Sequence, residues 1–186
     1  MNNEKKNYIY TDLVVSKNKK KYEILKNNKK IGIKSEIVRA PFGIEKYNNK
    51  YIINIEFTGY KENNNVYNFL NKIKQMDYFF ERIKWDKNIK KEASYITEEF
   101  IEEIKDKEYK SCIKNRPNNY DPLLRVYIME IKQKMITKFI NKEKQNIIEL
   151  NKIKEMKGEY MLLIDKIWIN KKNYGLTILL KKFEEK

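Results

Sequence analysis

The sequence predicts a mainly β domain, a barrel or sandwich, interrupted by a helical insertion. Three observations predict it. Apolar residues alternate with period two before residue 60 and again after residue 120. Between those regions, from Val66 onward, they recur every three or four residues, which is the helical period. No internal repeat or low-complexity linker splits the 186 residues, a length that suits one domain. Strands, then helices, then strands within one basic chain is the order of an α+β fold.

Residues 1–20 are polar apart from Tyr8-Ile9-Tyr10 and Leu13-Val14-Val15, and read as a flexible arm or an edge strand. Residues 21–186 read as one domain with the insertion at about 64–110. Tyr22–Leu25 and Ile31–Val38 are strand-like, with Asn27-Asn28 as the turn between them. Pro41 and Gly43 end regular structure after Arg39. From Lys50 to Thr58, Tyr51, Ile53, Ile55 and Phe57 fall on one face and Ile52, Asn54 and Glu56 on the other, a strand with one buried side.

Val66, Phe69, Leu70, Ile73, Met76, Phe80 and Ile83 line one side of a helix that runs to about Trp85. A second helix is expected from the N-cap Thr97 to about Tyr109; it is acidic, unsuited to a phosphate chain, and expected to face away from any such ligand. Residues 115–122 form a loop. Leu123–Ile131 and Met135–Ile140 read as strands, and Ile147–Met156 as a short helix or an irregular segment. Tyr160–Ile169, the basic turn Asn170-Lys171-Lys172-Asn173 and Tyr174–Phe183 form a closing hairpin.

Composition narrows the function. The chain has 41 Lys+Arg against 26 Asp+Glu, a formal charge of +15, and a field of that sign attracts polyanions, nucleic acid first and an anionic membrane second. AT-rich codon usage is a second source of lysine; it accounts for Lys in place of Arg, but less well for the excess over acids. There is no His, which removes Ser–His and Cys–His nucleophilic sites and zinc held by Cys and His. The scattered glycines form no phosphate loop. Cys112 is the one cysteine, so no disulfide framework exists, a reducing compartment such as cytosol or nucleus is expected, and an inert thiol is the simplest reading. No apolar run approaches a membrane span, and the N-terminus lacks a signal-peptide stretch. The carboxylates at helical spacing, Glu98/Glu102 and Glu99/Glu103, read as a solvated face; Glu56 and Asp165 read as structural or ion-paired. No metal or cofactor is expected.

Single-strand binding needs a cationic groove for phosphates together with exposed rings that stack on bases. The chain has fourteen Tyr, eight Phe and two Trp, and several stand beside a cation: Lys46-Tyr47, Lys50-Tyr51, Arg125-Val126-Tyr127 and Lys166-Ile167-Trp168. Phe69, Phe80, Phe100, Tyr51 and Phe57 are expected in the core, since they share faces with aliphatic residues. Trp168, Tyr174, Phe42 and Tyr47 flank turns and are the stacking candidates.

Two segments carry a family resemblance. One is Ile37-Val38-Arg39-Ala40-Pro41-Phe42-Gly43, followed by the strand from Lys50. The other is Leu163-Ile164-Asp165-Lys166-Ile167-Trp168-Ile169, then a basic loop, then Tyr174-Gly175-Leu176. The pattern resembles the single-stranded DNA-binding proteins of large nucleocytoplasmic DNA viruses, which are similar in turn to the phage T7-type single-strand binding protein. It spans roughly residues 22–183 and is sharp only at its two ends. It implies an OB-fold, a five-stranded Greek-key barrel with nucleic acid across one face. It also implies a non-enzymatic role in viral replication, recombination or repair, in the host cytoplasm or nucleus, with single-stranded DNA, or RNA, and replication proteins as partners.

The candidate contacts are therefore Arg39, Phe42, Tyr47, Lys50, Arg125, Tyr127, Lys166, Trp168, Lys171, Lys172 and Tyr174, rings for bases and cations for phosphates. Arg39 has a second reading as a buried structural arginine. The rival functions are a basic structural or interaction protein without a nucleic-acid role, and a metal-dependent nuclease built on the carboxylates.

Overall fold

The alternating runs fold as strands and pair in an order that closes on itself. The computed structural model of the chain describes residues 13–18, 21–92, 95–132, 134–147 and 150–186, so most of the expected N-terminal arm lies outside the described residues. Before the insertion come β1 (Leu13–Asn18), β2 (Lys21–Lys26), β3 (Lys29–Lys34), β4 (Val38–Arg39), β5 (Ile44–Tyr47) and β6 (Lys50–Glu56). The insertion holds α1 (Asn64–Arg82), α2 (Lys87–Glu92), β7 (Tyr95–Ile96), α3 (Glu98–Ile104) and β8 (Glu108–Lys110). Then follow β9 (Ile113–Lys114), β10 (Leu123–Ile128), β11 (Glu130–Ile131), β12 (Lys134–Met135) and β13 (Lys138–Ile140), a 3-10 turn at Leu150–Ile153, and the long strands β14 (Lys157–Ile169) and β15 (Asn173–Glu185).

β4 pairs with β6, β6 with β10, β10 with β15, β15 with β14, and β14 with β4 again. β3 lies in line with β4 along the same β14. Between them Ser35 holds the register: its amide donates to Tyr160 O at 2.9 Å and its hydroxyl accepts from Tyr160 N at 2.8 Å. The expected Ile31–Val38 strand is thus two strands around one side-chain bridge. Every contact in the ring is antiparallel except β10–β15, where Tyr127 and Ile128 lie beside Leu179 and Leu180 in parallel. Parallel neighbours cannot be joined by a hairpin, so the chain leaves after β10, lays down β14 across the barrel and returns as β15. The result is the five-stranded Greek-key barrel of the OB arrangement, with the helices inserted between its second strand, β6, and its third, β10.

Inward residues of the ring form the core: Ile33, Val38, Ile53, Ile55, Leu124, Val126, Leu162, Ile164, Ile178 and Leu180 are all buried. α1 adds its apolar side, Val66, Phe69, Leu70, Ile73 and Met76, to the same cluster. Asn63 caps α1 by accepting from Asn65 N at 3.0 Å and Val66 N at 3.3 Å, satisfying two amides that have no partner within the helix.

Other departures from expectation are local. β5 pairs with β6 through Asn48-Asn49, both at positive φ (46° and 59°), a hairpin turn that asparagine tolerates. The acidic helix stops at Ile104, because Glu108–Lys110 is captured as a parallel strand by Asn173–Gly175. Tyr51, expected inside, is exposed at the start of β6, whereas Phe57 at the other end is buried.

Candidate nucleic-acid interface

With Leu124, Val126 and Ile128 turned into the core, Arg125 and Tyr127 of β10 must face out. On β14 a bulge brings Trp168 to the same side. Ile164 pairs with Ile178 and Lys166 with Thr177, which leaves Asp165 as an extra residue. The bulge reverses the parity of the strand, so Lys166 and Trp168 lie outward although Ile164 and Ile167 point in. The indole rests on Gly175: a Cβ there would stand 2.8 Å from the Trp168 ring and 2.6 Å from Lys110 O. Only glycine leaves room for the ring and for β8 together.

β5 supplies Tyr47, 42% exposed, and the Arg125 guanidinium lies over its ring at 4.2 Å. Lys50 Nζ lies 5.6 Å from the Tyr127 ring. The outer face of β10, β14 and β15 thereby forms two adjoining cavities that share Tyr127. One, of about 330 Å³, is walled by Tyr47, Arg125, Tyr127, Trp168, Lys110 and Lys114. The other, of about 250 Å³, is walled by Lys50, Tyr127, Ile131, Ile136, Asp165 and Lys166.

The charge of this groove is lopsided. Five cations, Lys50, Lys110, Lys114, Arg125 and Lys166, line it with two acids, Glu130 and Asp165, while from outside the lining Glu108 pairs with Lys110 at 2.7 Å and Glu45 acts on Lys114. Asp165 is already engaged by Lys30 and, at 3.7 Å, by Lys166. Among the described residues Arg125 has no carboxylate partner, and its Nε is buried without a hydrogen bond. Burial lowers the pKa of Lys114, and the neighbouring Arg125 lowers it further against the opposing pull of Glu45. Burial likewise lowers that of Lys166; Asp165 opposes, and Lys21 and Lys50 add to the lowering. Ammonium groups lowered first by burial and further by neighbouring cations mark a site where an anion would be stabilised.

Six of the residues singled out by sequence therefore meet: Tyr47, Lys50, Arg125, Tyr127, Lys166 and Trp168. Five do not line this groove. Arg39 is held by Glu56 and, at 3.1 Å, by Glu155, so its guanidinium fixes the start of the following turn. Phe42, 48% exposed, sits on that turn. Lys171 and Lys172 are exposed at the tip of the β14–β15 hairpin. Tyr174 corrects the expectation of a stacking ring: it is 0% exposed, packs edge-on against Tyr109 at 5.2 Å, and donates its phenol to Phe80 O at 2.7 Å. Burial raises its pKa. β8 and α1 cover it, and neither is near it in sequence. Tyr174→Phe is expected to cost about 1 kcal/mol in thermal unfolding, the net worth of one hydrogen bond, and to leave oligonucleotide affinity unchanged.

Sequence reasoning missed Lys110 and Lys114, because 105–114 was expected to be the end of a helix and its linker. The signal in the chain is Gly175, whose missing side chain admits β8. Ser111 and Cys112 lie between the two lysines and anchor the insertion: Asp77 accepts from Ser111 Oγ and from Tyr109 OH at 2.5 Å, and Cys112 Sγ lies 3.3 Å from it. Burial and Asp77 push the Cys112 thiol well up, away from reactivity. Among the described residues no group of three or more Cys, Asp or Glu is placed to hold a metal ion, and no helix is long and apolar enough to cross a membrane.

Three solved structures are similar to this chain, to differing degrees. The C-terminally truncated single-stranded DNA-binding protein from bacteriophage Enc34 matches with a TM-score of 0.51 at 15% identity, over 94% of this chain and 92% of that one. The Enc34 protein in complex with ssDNA matches at 0.48 and 13%, over 94% of each chain. Gp2.5, the single-stranded DNA-binding protein of bacteriophage T7, matches at 0.39 and 8%, over 83% of this chain and 90% of that one. The first of these likenesses is one of fold: a mainly β barrel with a helical insertion. No protein-family model matches the sequence, and neither does any curated protein.

Proposed function

We propose that the protein binds single-stranded DNA without sequence preference and covers displaced strands during viral DNA replication, recombination or repair. One observation carries the reading. On the outer barrel face, Tyr47, Tyr127 and Trp168 stand between five cations, one of which, Arg125, has no acid partner among the described residues. Rings accept any base by stacking, and cations hold the backbone whatever the sequence. Stacking and phosphate pairing make no use of the 2′-hydroxyl, so RNA of the same length is a competitor.

The test uses Trp85→Phe, which leaves Trp168 as the sole indole. Titration with oligo-dT is expected to quench its fluorescence to saturation. With five phosphate contacts, affinity should fall with salt at a log–log slope of about −3.5, from roughly 0.7 per contact. An unquenched Trp168 at low salt, or binding confined to duplex, would overturn the proposal.

A further inference from the structure

We infer that α1 carries a second stacking station for the same nucleic-acid strand, built from Tyr78, Arg82 and Trp85; this rests on the function proposed above. Tyr78 and Trp85 are 45% and 55% exposed, unusually open for such rings, and lie on one side of the helix end. The Arg82 guanidinium lies over both rings, 4.7 Å from the Tyr78 centroid and 4.4 Å from that of Trp85. Its Nε is buried without a hydrogen bond, and among the described residues its acid contact is a long 3.5 Å pair with Asp86. Asp86 is itself committed to the start of α2, where it accepts from Asn88 N at 2.9 Å. A guanidinium in contact with two rings restrains both in advance, so less ordering is needed when a base stacks on them.

The station is continuous with the barrel groove through a chain of cations. Lys110 closes the groove at the end of β8. At the other end of β8, Glu108 N donates to Lys172 O at 2.9 Å, which brings the basic hairpin tip alongside. Lys107 Nζ reaches Lys171 O at 3.4 Å. Lys84 Nζ donates to Lys107 O at 2.6 Å, and Trp85 follows Lys84 directly. Lys110, Lys171, Lys172, Lys107 and Lys84 thus make a contiguous basic path from the groove to the rings. This continuity, with the charge, selects a polynucleotide as occupant. Two acids beside the path oppose the backbone: Glu108, which pairs with Lys110 at 2.7 Å, and Glu81 near Tyr174.

The experiment reads the two stations separately, with Trp168→Phe leaving Trp85 as the only indole and Trp85→Phe leaving Trp168. OB-type sites span roughly 4–16 nucleotides, so oligo-dT of about four and about sixteen residues are the probes. The long probe is expected to quench both indoles and the short one Trp168 alone. The double variant Tyr78→Ala/Trp85→Ala should keep the short-probe affinity and lose at least about fivefold for the long probe, the equivalent of one stacked base. Thermal unfolding of the double variant checks that its fold is intact. If the long probe quenches Trp168 and leaves Trp85 unchanged, the second station is wrong while the groove stands. If neither indole responds, the groove reading itself has failed.

Discussion

Trp168→Ala combined with Tyr127→Ala is expected to weaken single-strand binding at least about thirtyfold while leaving the protein folded. Each stacked base contributes about 1–3 kcal/mol, so two rings remove about 2–6 kcal/mol. Both side chains stand on the outer face of the barrel; Val126 and Ile167, which alternate with them, hold the core, so neither truncation opens a cavity inside. Competition binding against labelled oligo-dT gives the affinity, and far-UV circular dichroism checks the fold. The salt slope should stay near that of the parent, because the cations remain. Arg125→Ala should do the reverse, flattening the slope by about 0.7 and freeing the Tyr47 ring. A double variant that binds like the parent would move the nucleic-acid site off this face.

The largest effect on stability is expected at Glu56. Its carboxylate is buried and accepts from Arg39, from Arg116 and, at 2.8 Å, from Thr58, tying β4 and the loop before β10 to the end of β6. Glu56→Gln keeps the shape but leaves two guanidinium groups facing a neutral amide. Breaking a buried pair costs about 3–5 kcal/mol, and the partial exposure of Arg39 lowers that to about 2–4 kcal/mol. For a chain of this length the loss is roughly 4–16 °C in melting temperature.

A pH dependence accompanies it. Burial alone would raise the pKa of Glu56, but the hydrogen bonds from Arg39, Thr58 and Arg116 outweigh it, and the folded value lies below the ordinary 4.5. The unfolded chain therefore takes up the proton first. The contribution is fully present above about pH 4.5 and is lost as pH falls through the folded value. The gap between parent and Glu56→Gln, read by denaturant unfolding, should be constant near neutrality and shrink on acidification. A gap unchanged down to pH 3 would show that the carboxylate charge is not what holds this corner.

The strands and α1 were legible because each segment must bury one face, and burial leaves its period in the chain. Val66, Phe69, Leu70, Ile73 and Met76 give the helical face directly, and Asn27-Asn28 gives a turn that the backbone confirms at φ 51° and 58°. Most of the candidate site was legible for a different reason: Tyr47, Lys50, Arg125, Tyr127, Lys166 and Trp168 belong to local pairings of cation and ring. Tyr174 shows the limit. Its neighbours along the chain are a basic turn and a glycine, the context of an exposed ring, yet β8 and α1 arrive from more than sixty residues away to bury it.

Composition and periodicity, both sums over near neighbours, were enough to establish a basic, mainly β chain with a helical insertion and to pick out most of the rings and cations of the groove. Which of them share a surface was left to long-range pairing. Strict alternation would have put Trp168 beside Leu162 and Ile164; the extra residue Asp165, whose bulge appears only when β14 is laid against β15, turned it outward. Lys110 and Lys114 joined the groove because Gly175 let a distant strand approach. A side chain's face depends on register, and register is set by the partner strand.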